Sequence, residues 1–324
     1  MSFGKALTLS SGTTIPQLAL GTWLAEPNEV GNAVEIAVRH GYRHLDCATI
    51  YENHAEVGAA LKKVVPSVVP REALFITSKL WNNAHQSAEV EKQLDETLKD
   101  LGVEYLDLYL MHWPVAFAPG KGLSPPHPTK EGQVALDLDT SLVDTWKAMI
   151  ALPKSKVRNI GVSNFTIAHL EGIIAATGVV PTVLQIEAHP LLPQDDLVAF
   201  CKDNSIQITA YSPLGNNLLG EKKLVDDPAI LAIAARLGAT PAQVLMAWGV
   251  HRGYTVNVKS VHPERIKANF QQLALTEAQY AEITALGNGR HVRFNIPYRY
   301  EPGWDISLFN EEAEKEATYK VKIA

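Results

Sequence analysis

The chain has 324 residues, 46% of them hydrophobic and 20% charged, which excludes a disordered or fibrous protein and allows a large buried core. Its formal net charge of −6 argues against nucleic acid as a main partner and leaves no basic arm for a membrane surface. Because it shows no signal core, no run of about 20 apolar residues and only two cysteines, Cys47 and Cys201, we expect a soluble, cytoplasmic protein without a disulfide framework.

Strand-like and helix-like segments alternate along the chain after a short N-terminal hairpin, predicted over residues 6–15 around Ser11-Gly12. Eight buried strands are predicted at residues 18–23, 44–48, 74–80, 105–113, 159–164, 183–189, 208–212 and 255–260. Each is followed by a predicted helix, at residues 29–39, 55–65, 87–101, 138–152, 167–177, 195–203, 228–237 and 263–270. Ser87 is expected to act as the N-cap of the third helix.

The alternation predicts a closed barrel. Strands separated by helices require a parallel sheet, and eight such units are the number that closes a (β/α)8, or TIM, barrel. The alternative, an open doubly wound sheet, calls for a GxGxxG turn after the first strand, and the GTWLAEP found there does not supply one. No Gly-rich linker or low-complexity block divides the chain, so we expect a single domain over residues 1–324.

Three segments fall outside this repeat. Residues 114–135 are rich in Pro and Gly and too long for an ordinary connection, which predicts a functional loop over the barrel mouth. Residues 276–286 are predicted to form an extra helix. The C-terminal segment from Gly287 contains NIPYRYEPGWDISLF, which has more aromatic residues than a disordered end, so we expect it to pack on the body as a loop over the mouth.

Four polar residues stand at or just beyond strand ends, where the active sites of barrels collect: Asp46, Tyr51, Lys79 and His112. Each has an ordinary alternative explanation: a turn cap, a half-buried phenol, an exposed amine and a satisfied core histidine, respectively. Lys79, however, lies in an apolar strand, where an ammonium is costly unless a carboxylate pairs with it, and Asp46 is the obvious partner. We therefore expect the four side chains to meet.

This group predicts a site for carbonyl reduction. A cation beside a phenol lowers the pKa of the phenol from about 10 toward neutrality, which would make Tyr51 a proton donor at physiological pH. His112 could then hydrogen-bond to a carbonyl oxygen and orient it. To reduce a carbonyl group, such a site needs only a hydride donor in addition.

With these segments the chain resembles the aldo-keto reductases over nearly its whole length. The matching segments, in the order that the family shows, are GYRHLDCATIYENHAEVG, FITSKLW, YLDLYLMHWP, IGVSNF, QIEAHP, AYSPLG and KSVHPERIKANF. The resemblance implies an (α/β)8 barrel, Tyr51 as the general acid, Lys79 and Asp46 as the groups that tune it, and His112 as the group that orients the substrate. Within the family, AYSPLGNN and residues 295–309 look most like fungal aldehyde reductases, NADP-dependent glycerol dehydrogenases and glyceraldehyde reductases.

The resemblance also implies NADPH as the cofactor. It assigns Ser163, Asn164 and Gln185 to the nicotinamide carboxamide, Tyr211 to a ring stack, and Ser212, Leu214 and Asn216 to the pyrophosphate. Lys259, Ser260 and Arg265, at the start of a helix, would hold the 2′-phosphate, and Asn269 the adenine. The cofactor-facing set is completed by Gly21, Thr22, Trp23 and Asp46. Helix capping for Ser163 or Asn164, a buried amide for Gln185 and a solvated helix face for Arg265 and Lys267 are the simpler alternatives, and for Lys267 the simpler one is preferred.

An apolar aldehyde pocket is implied in the same way. Its expected lining is Trp23, Tyr51, Trp81, His112, Trp113, Phe117 and Trp304. The chain departs from the family pattern at Leu184, Ala188, Val258 and Ala268, of which Leu184 could loosen the nicotinamide and Ala268 the adenine.

The resulting hypothesis is a monomeric, NADPH-dependent reductase of aldehydes and some ketones, acting on a small-molecule carbonyl substrate such as glyceraldehyde or an aryl aldehyde, without a metal. A first alternative is an NADPH-binding redox sensor or regulatory subunit with negligible turnover. A second is another barrel enzyme, such as a phosphate-binding lyase, for which a nicotinamide cofactor would have no effect on stability.

Overall fold

The computed structural model describes residues 5–216, 218 and 220–324. It begins with the predicted hairpin, in which β1 (Ala6–Thr8) pairs antiparallel with β2 (Thr14–Pro16). Ile15 is completely buried and packs with apolar side chains of the barrel strands, and Ser11 Oγ donates to Asn159 Oδ1 at 2.6 Å. The hairpin therefore packs against the barrel interior.

Eight parallel strands form the closed barrel that the alternation predicted. They are β3 (Leu18–Gly21), β4 (His44–Asp46), β5 (Phe75–Leu80), β6 (Leu106–Met111), β7 (Val157–Ser163), β8 (Val183–Glu187), β9 (Gln207–Tyr211) and β10 (Thr255–Lys259). Each strand pairs with the next along the chain, and β10 closes the ring by pairing with β3. The strands are almost entirely buried, because helices cover the outside and side chains fill the inside.

Ten α-helices are found in the described residues. They are α1 (Val30–His40), α2 (His54–Val64), α3 (Ser87–Leu101), α4 (Leu142–Ala151), α5 (Ile167–Thr177), α6 (Asp195–Asp203), α7 (Pro228–Leu237), α8 (Pro241–His251), α9 (Pro263–Asn269) and α10 (Glu277–Ala285). In α1, for example, one apolar face with Val34 and Ala37 is buried, and Gly41 at φ 115° ends the helix.

Three expectations about the helices were wrong. The sequence did not predict α8, so the crossover between β9 and β10 carries two helices rather than one. Helix α4 begins at Leu142 rather than at residue 138, because the Ser141 hydroxyl caps it by accepting from the Asp144 amide. Ser87 does not cap α3; it is the first residue of the helix, and Gln86 holds the cap position without a side-chain bond.

The C-terminal segment packs on the body, as predicted. Its strands β11 (Ile306–Ser307) and β12 (Tyr319–Lys320) pair with each other, and the Leu142 amide at the start of α4 donates to the Lys322 carbonyl at 3.0 Å. Among the described residues no single helix is long and apolar enough to cross a membrane, although α7 and α8, bent by 88°, together pass on length and composition.

Candidate active site

The four polar residues predicted from strand ends meet at the C-terminal end of the barrel. Lys79, on β5, donates from Nζ to Asp46 Oδ1 at 2.5 Å, to the Cys47 carbonyl at 2.8 Å and to the Tyr51 hydroxyl at 3.2 Å. Tyr51 lies in the turn after β4, and its ring meets that of His112 edge to face with centroids 5.9 Å apart. The cluster thus draws on the ends of three neighbouring strands.

Burial decides the electrostatics of this cluster. The side chains of Lys79 and Asp46 are 0% and 1% exposed, so the ammonium and carboxylate compensate each other where water cannot. Burial opposes the charge on Lys79, but Asp46 and then Tyr51 raise the pKa of Lys79 above its ordinary value. The second carboxylate oxygen of Asp46 accepts from Gln185 Nε2 at 2.8 Å. Both oxygens of the buried acid therefore have partners.

The expected lowering of the Tyr51 pKa was wrong. Burial raises the pKa of Tyr51 to about 12, and this effect outweighs the lowering by the Lys79 charge 3.2 Å away. The hydroxyl is therefore protonated at neutral pH. That is the state a proton donor requires.

His112 presents one ring nitrogen to the site. Burial, and then the charge of Lys79, hold the pKa of His112 well below its usual range, so the imidazole is neutral at physiological pH. Its Nδ1 is buried and has no partner among the described residues, which leaves Nε2 to face the cavity that His112 lines. A neutral imidazole of this kind can donate one hydrogen bond to a carbonyl oxygen.

A cleft of about 1290 Å³ opens above these residues. Every predicted cofactor residue lines it: Gly21, Thr22, Trp23, Asp46, Ser163, Asn164, Gln185, Tyr211, Ser212, Leu214, Asn216, Lys259, Ser260, Arg265 and Asn269. For description we divide the lining in two and name each part after the ligand expected there from the sequence. The dinucleotide arm is the part lined from Gln185 and Tyr211 to α9. The substrate arm is the part lined by Trp23, Tyr51, Trp81, His112, Trp113 and Trp304.

The dinucleotide arm has features that fit a nicotinamide dinucleotide phosphate. Tyr211 holds its ring in the cleft while its hydroxyl donates to Asn164 Oδ1 at 2.6 Å, and Asn164 in turn donates to the His112 carbonyl at 2.9 Å. At the other end Lys259 and Arg265 are exposed and lie in a chain whose net charge is −6. Asn257 Oδ1, also in the cleft, is buried without a partner among the described residues. Aromatic, amide and cationic groups thus follow one another along the arm.

One expected contribution to the cleft was wrong. Phe117 does not line it: the ring is 1% exposed and packs edge to face against Trp304 and Trp81, behind the wall. Leu184 is completely buried in the apolar layer around the barrel, so it does not line the cleft, and its expected effect on nicotinamide positioning stays a prediction. Ala268 and Val258 do line the cleft.

Several cleft residues were not recognised from the sequence, among them Lys223, Asn257 and Asn295. Lys223 adds a third cation to the dinucleotide arm, near enough to lower the pKa of Lys259, although burial is the larger cause of that lowering. Asn257 lies inside β10, and Asn295 comes from the C-terminal segment. Asn257 could have been found, since a side-chain amide inside an apolar strand indicates a polar site. Lys223 and Asn295 lie in irregular segments, where the sequence gives no such indication.

Comparisons with known proteins show the family of the chain and agree with its barrel fold. A model of the Aldo/keto reductase family matches residues 17–288. The chain is 51% identical to the D/L-glyceraldehyde reductase of Hypocrea jecorina over 100% of this chain and 99% of that protein. It is 42% identical to aldo-keto reductase family 1 member A1 of Bos taurus over 90% of this chain and 92% of that protein. The solved aldose reductase of Schistosoma japonicum matches with a TM-score of 0.85 and 39% identity, covering 95% of this chain and 99% of that one.

Proposed function

Because the chain belongs to the aldo/keto reductase family, as its sequence segments indicated, we propose that it reduces aldehydes, and some ketones, to alcohols with NADPH. The observation that carries this proposal is the position of the Tyr51 hydroxyl, which lines the cleft 3.2 Å from a lysine that is itself paired with a buried carboxylate. Family membership supports an oxidoreductase acting on aldehydes; the cofactor and the residue roles are the proposed part.

Tyr51 is proposed as the general acid. A carbonyl oxygen placed between the Tyr51 hydroxyl and His112 Nε2 would accept a hydrogen bond from each, which polarises the carbonyl carbon. Tyr51 would then give its hydroxyl proton to that oxygen, while the carbonyl carbon would take up the hydride. The Lys79 ammonium stabilises the phenolate that remains, and Asp46 keeps that ammonium in place. Bound NADPH would supply the hydride.

Residues of the dinucleotide arm are proposed to hold the cofactor. Ser163, Asn164 and Gln185 offer hydroxyl and amide groups near the catalytic cluster, and Tyr211 offers an aromatic face. Lys259 and Arg265, with Ser260, provide the charge that a 2′-phosphate requires, which favours NADPH over NADH. We propose a small aldehyde as the substrate, since the name of the Hypocrea jecorina relative specifies D/L-glyceraldehyde.

The decisive experiment follows NADPH absorbance with DL-glyceraldehyde or a nitrobenzaldehyde. Wild-type protein should turn over at least ~10²-fold faster than Tyr51→Phe. Tyr109→Phe is the matched control, because Tyr109 lies in the apolar layer around the barrel and its hydroxyl has no partner among the described residues. Tyr109→Phe should keep wild-type activity. Equal turnover by wild type and Tyr51→Phe would refute the proposal, and tight NADPH binding without turnover would favour the sensor.

A further inference from the structure

A buried carboxylate outside the catalytic group holds the C-terminal segment on the barrel. Glu187 ends β8, its side chain is 0% exposed, and it accepts from His189 Nε2 at 2.8 Å and from the backbone amides of Phe294 at 2.7 Å and Asn295 at 2.9 Å. Burial opposes its ionisation, but His189 and the Phe294 amide lower the pKa of Glu187. The ionised Glu187 carboxylate thus holds the C-terminal segment to the barrel through hydrogen bonds.

The same carboxylate fixes the orientation of the Asn295 side chain. Asn295 Nδ2 donates to Glu187 Oε2 at 2.7 Å, and because an ionised carboxylate only accepts, the amide nitrogen must face it. Asn295 Oδ1 therefore points the other way, where it accepts from Asn216 Nδ2 at 3.1 Å and from the Tyr300 hydroxyl at 3.4 Å. This one oxygen, on a residue that is 2% exposed, therefore contacts both Asn216 of the dinucleotide arm and Tyr300, which lines the same cleft.

We propose that Asn295 is a positioning residue that couples the dinucleotide arm to the substrate arm. This inference rests on the proposed function. Asn216 shares its amide hydrogens between Asn295 Oδ1 and, at 3.4 Å, Ser212 Oγ. When the Asn216 side chain turns toward a cofactor phosphate, Asn295 Oδ1 loses the hydrogen bond from Asn216 and keeps the one from the Tyr300 hydroxyl. That 3.4 Å hydrogen bond can then shorten.

Tyr300 is placed to pass this change to the substrate. Its ring meets that of Trp304 edge to face at 5.9 Å and that of Trp113 at 6.4 Å, so a shift of Tyr300 moves two walls of the substrate arm. A second link between the same segments, Arg299 to Glu221 at 3.8 Å, joins two side chains that are 39% and 47% exposed. Such an exposed pair contributes little, so the buried amide is the link that matters.

A mutant cycle tests the coupling with NADPH and DL-glyceraldehyde. Asn216→Ala and Tyr300→Phe should each lower kcat/KM, and the combined variant should lose about threefold less than the product of the two losses. In an Asn295→Ala background the losses should multiply. Tyr298→Phe is the matched control for Tyr300→Phe, since the Tyr298 hydroxyl bonds to no described residue; it should keep wild-type activity. Losses that multiply with Asn295 present would overturn the coupling.

Hydrogen exchange provides a readout that does not need turnover. Saturating NADPH should slow amide exchange in peptides over residues 296–304 of the wild type, and clearly less in NADPH-saturated Asn216→Ala. Equal protection in both would overturn the coupling while leaving the reductase activity intact. Protection that depends on Asn216 in a protein without turnover would instead contradict only the proposed reduction, and failure to bind NADPH would contradict both.

Discussion

Lys79 Nζ donates to Asp46 Oδ1 at 2.5 Å, and neither side chain is more than 1% exposed. A charge pair in such a place is costly to break, because removing one partner leaves the other charge buried and uncompensated. We therefore expect the pair to have two roles that can be separated by experiment: stabilising the barrel and, under the proposed function, tuning the hydroxyl of Tyr51.

Replacing Lys79 alone should damage both roles. We expect Lys79→Met to lower the free energy of unfolding by roughly 3 kcal/mol or more, since Asp46 would retain only the Gln185 hydrogen bond. Adding Asp46→Asn removes the unpaired charge and should recover a large part of that loss, without recovering turnover. Urea unfolding and NADPH oxidation measure the two effects. A double variant as unstable as Lys79→Met would contradict this account.

The phosphate-binding prediction concerns two cations of α9. Arg265→Leu should raise the Kd for NADPH about tenfold and leave the Kd for NADH nearly unchanged, because only NADPH carries the 2′-phosphate. Lys267→Leu is the matched control, since Lys267 is exposed, lies outside the cleft lining and pairs with Glu264 at 3.2 Å. Fluorescence titration of the wild type and the two variants with each dinucleotide gives the six dissociation constants. Equal weakening of NADPH and NADH by Arg265→Leu would remove the phosphate assignment.

Buried neutral histidines should make the fold sensitive to acid. Burial lowers the pKa of His44, His54 and His169 to about 4, whereas in the unfolded chain it lies near 6.5. The unfolded state therefore binds more protons as the pH falls below about 6.5, so the stability present at neutral pH is lost between about pH 6.5 and 4. Thermal unfolding at pH 7.5 and 5.0 should show a clear drop in Tm.

His169 allows this effect to be isolated. It stands at the third position of α5, where its Nδ1 accepts from the Thr166 amide in a capping box, and Gln occupies the same position in the capping boxes of α8 and α10. His169→Gln should keep the cap, remove the titration and reduce the acid loss at pH 5 by roughly 1–2 kcal/mol. An unchanged pH dependence would mean that other groups govern acid unfolding.

Close packing between α2 and α3 depends on Gly58. A Cβ there would lie 2.5 Å from the Asp100 carbonyl and 2.8 Å from that of Leu101, and backbone atoms cannot move aside cheaply. We expect Gly58→Ala to destabilise the fold by about 1–3 kcal/mol. Gly172→Ala is the comparison, because the new Cβ would lie 2.2 Å from the Ile323 Cγ2 methyl, which belongs to a side chain that can rotate and not to the backbone. If both variants unfold at the same urea concentration, backbone crowding is not the cause.

The barrel and most helices could be predicted because most helices have one apolar face and a recognisable end. The bounds of α3, α5, α6 and α7 were predicted to the residue. Helix α8 was missed because six of its eleven residues are buried and it has no polar face to give a helical period. The signal available was its cap, Thr240-Pro241 with Gln243 three positions on, which forms a capping box.

The membership of the polar cluster proposed to be catalytic could also be predicted, whereas its electrostatics could not. Spacing from strand ends brought Asp46, Tyr51, Lys79 and His112 together, since the C-terminal ends of barrel strands face one mouth. The pKa direction of Tyr51 was wrong because the sequence shows the nearby cation but not how deeply the hydroxyl is buried. Asn295 could not be predicted because its place depends on how residues 287–324 fold back over the mouth.

The hydrogen bond from Gln185 to Asp46 has a geometrical consequence. Strands β4 and β8 are four positions apart in the eight-stranded barrel, so this 2.8 Å hydrogen bond crosses the barrel from one side to the other. The Asp46 carboxylate therefore links two opposite strands of the barrel, in addition to compensating the charge of Lys79. Variants designed to change the substrate range should therefore keep the hydrogen bond between Gln185 and Asp46 and change only the loops above it.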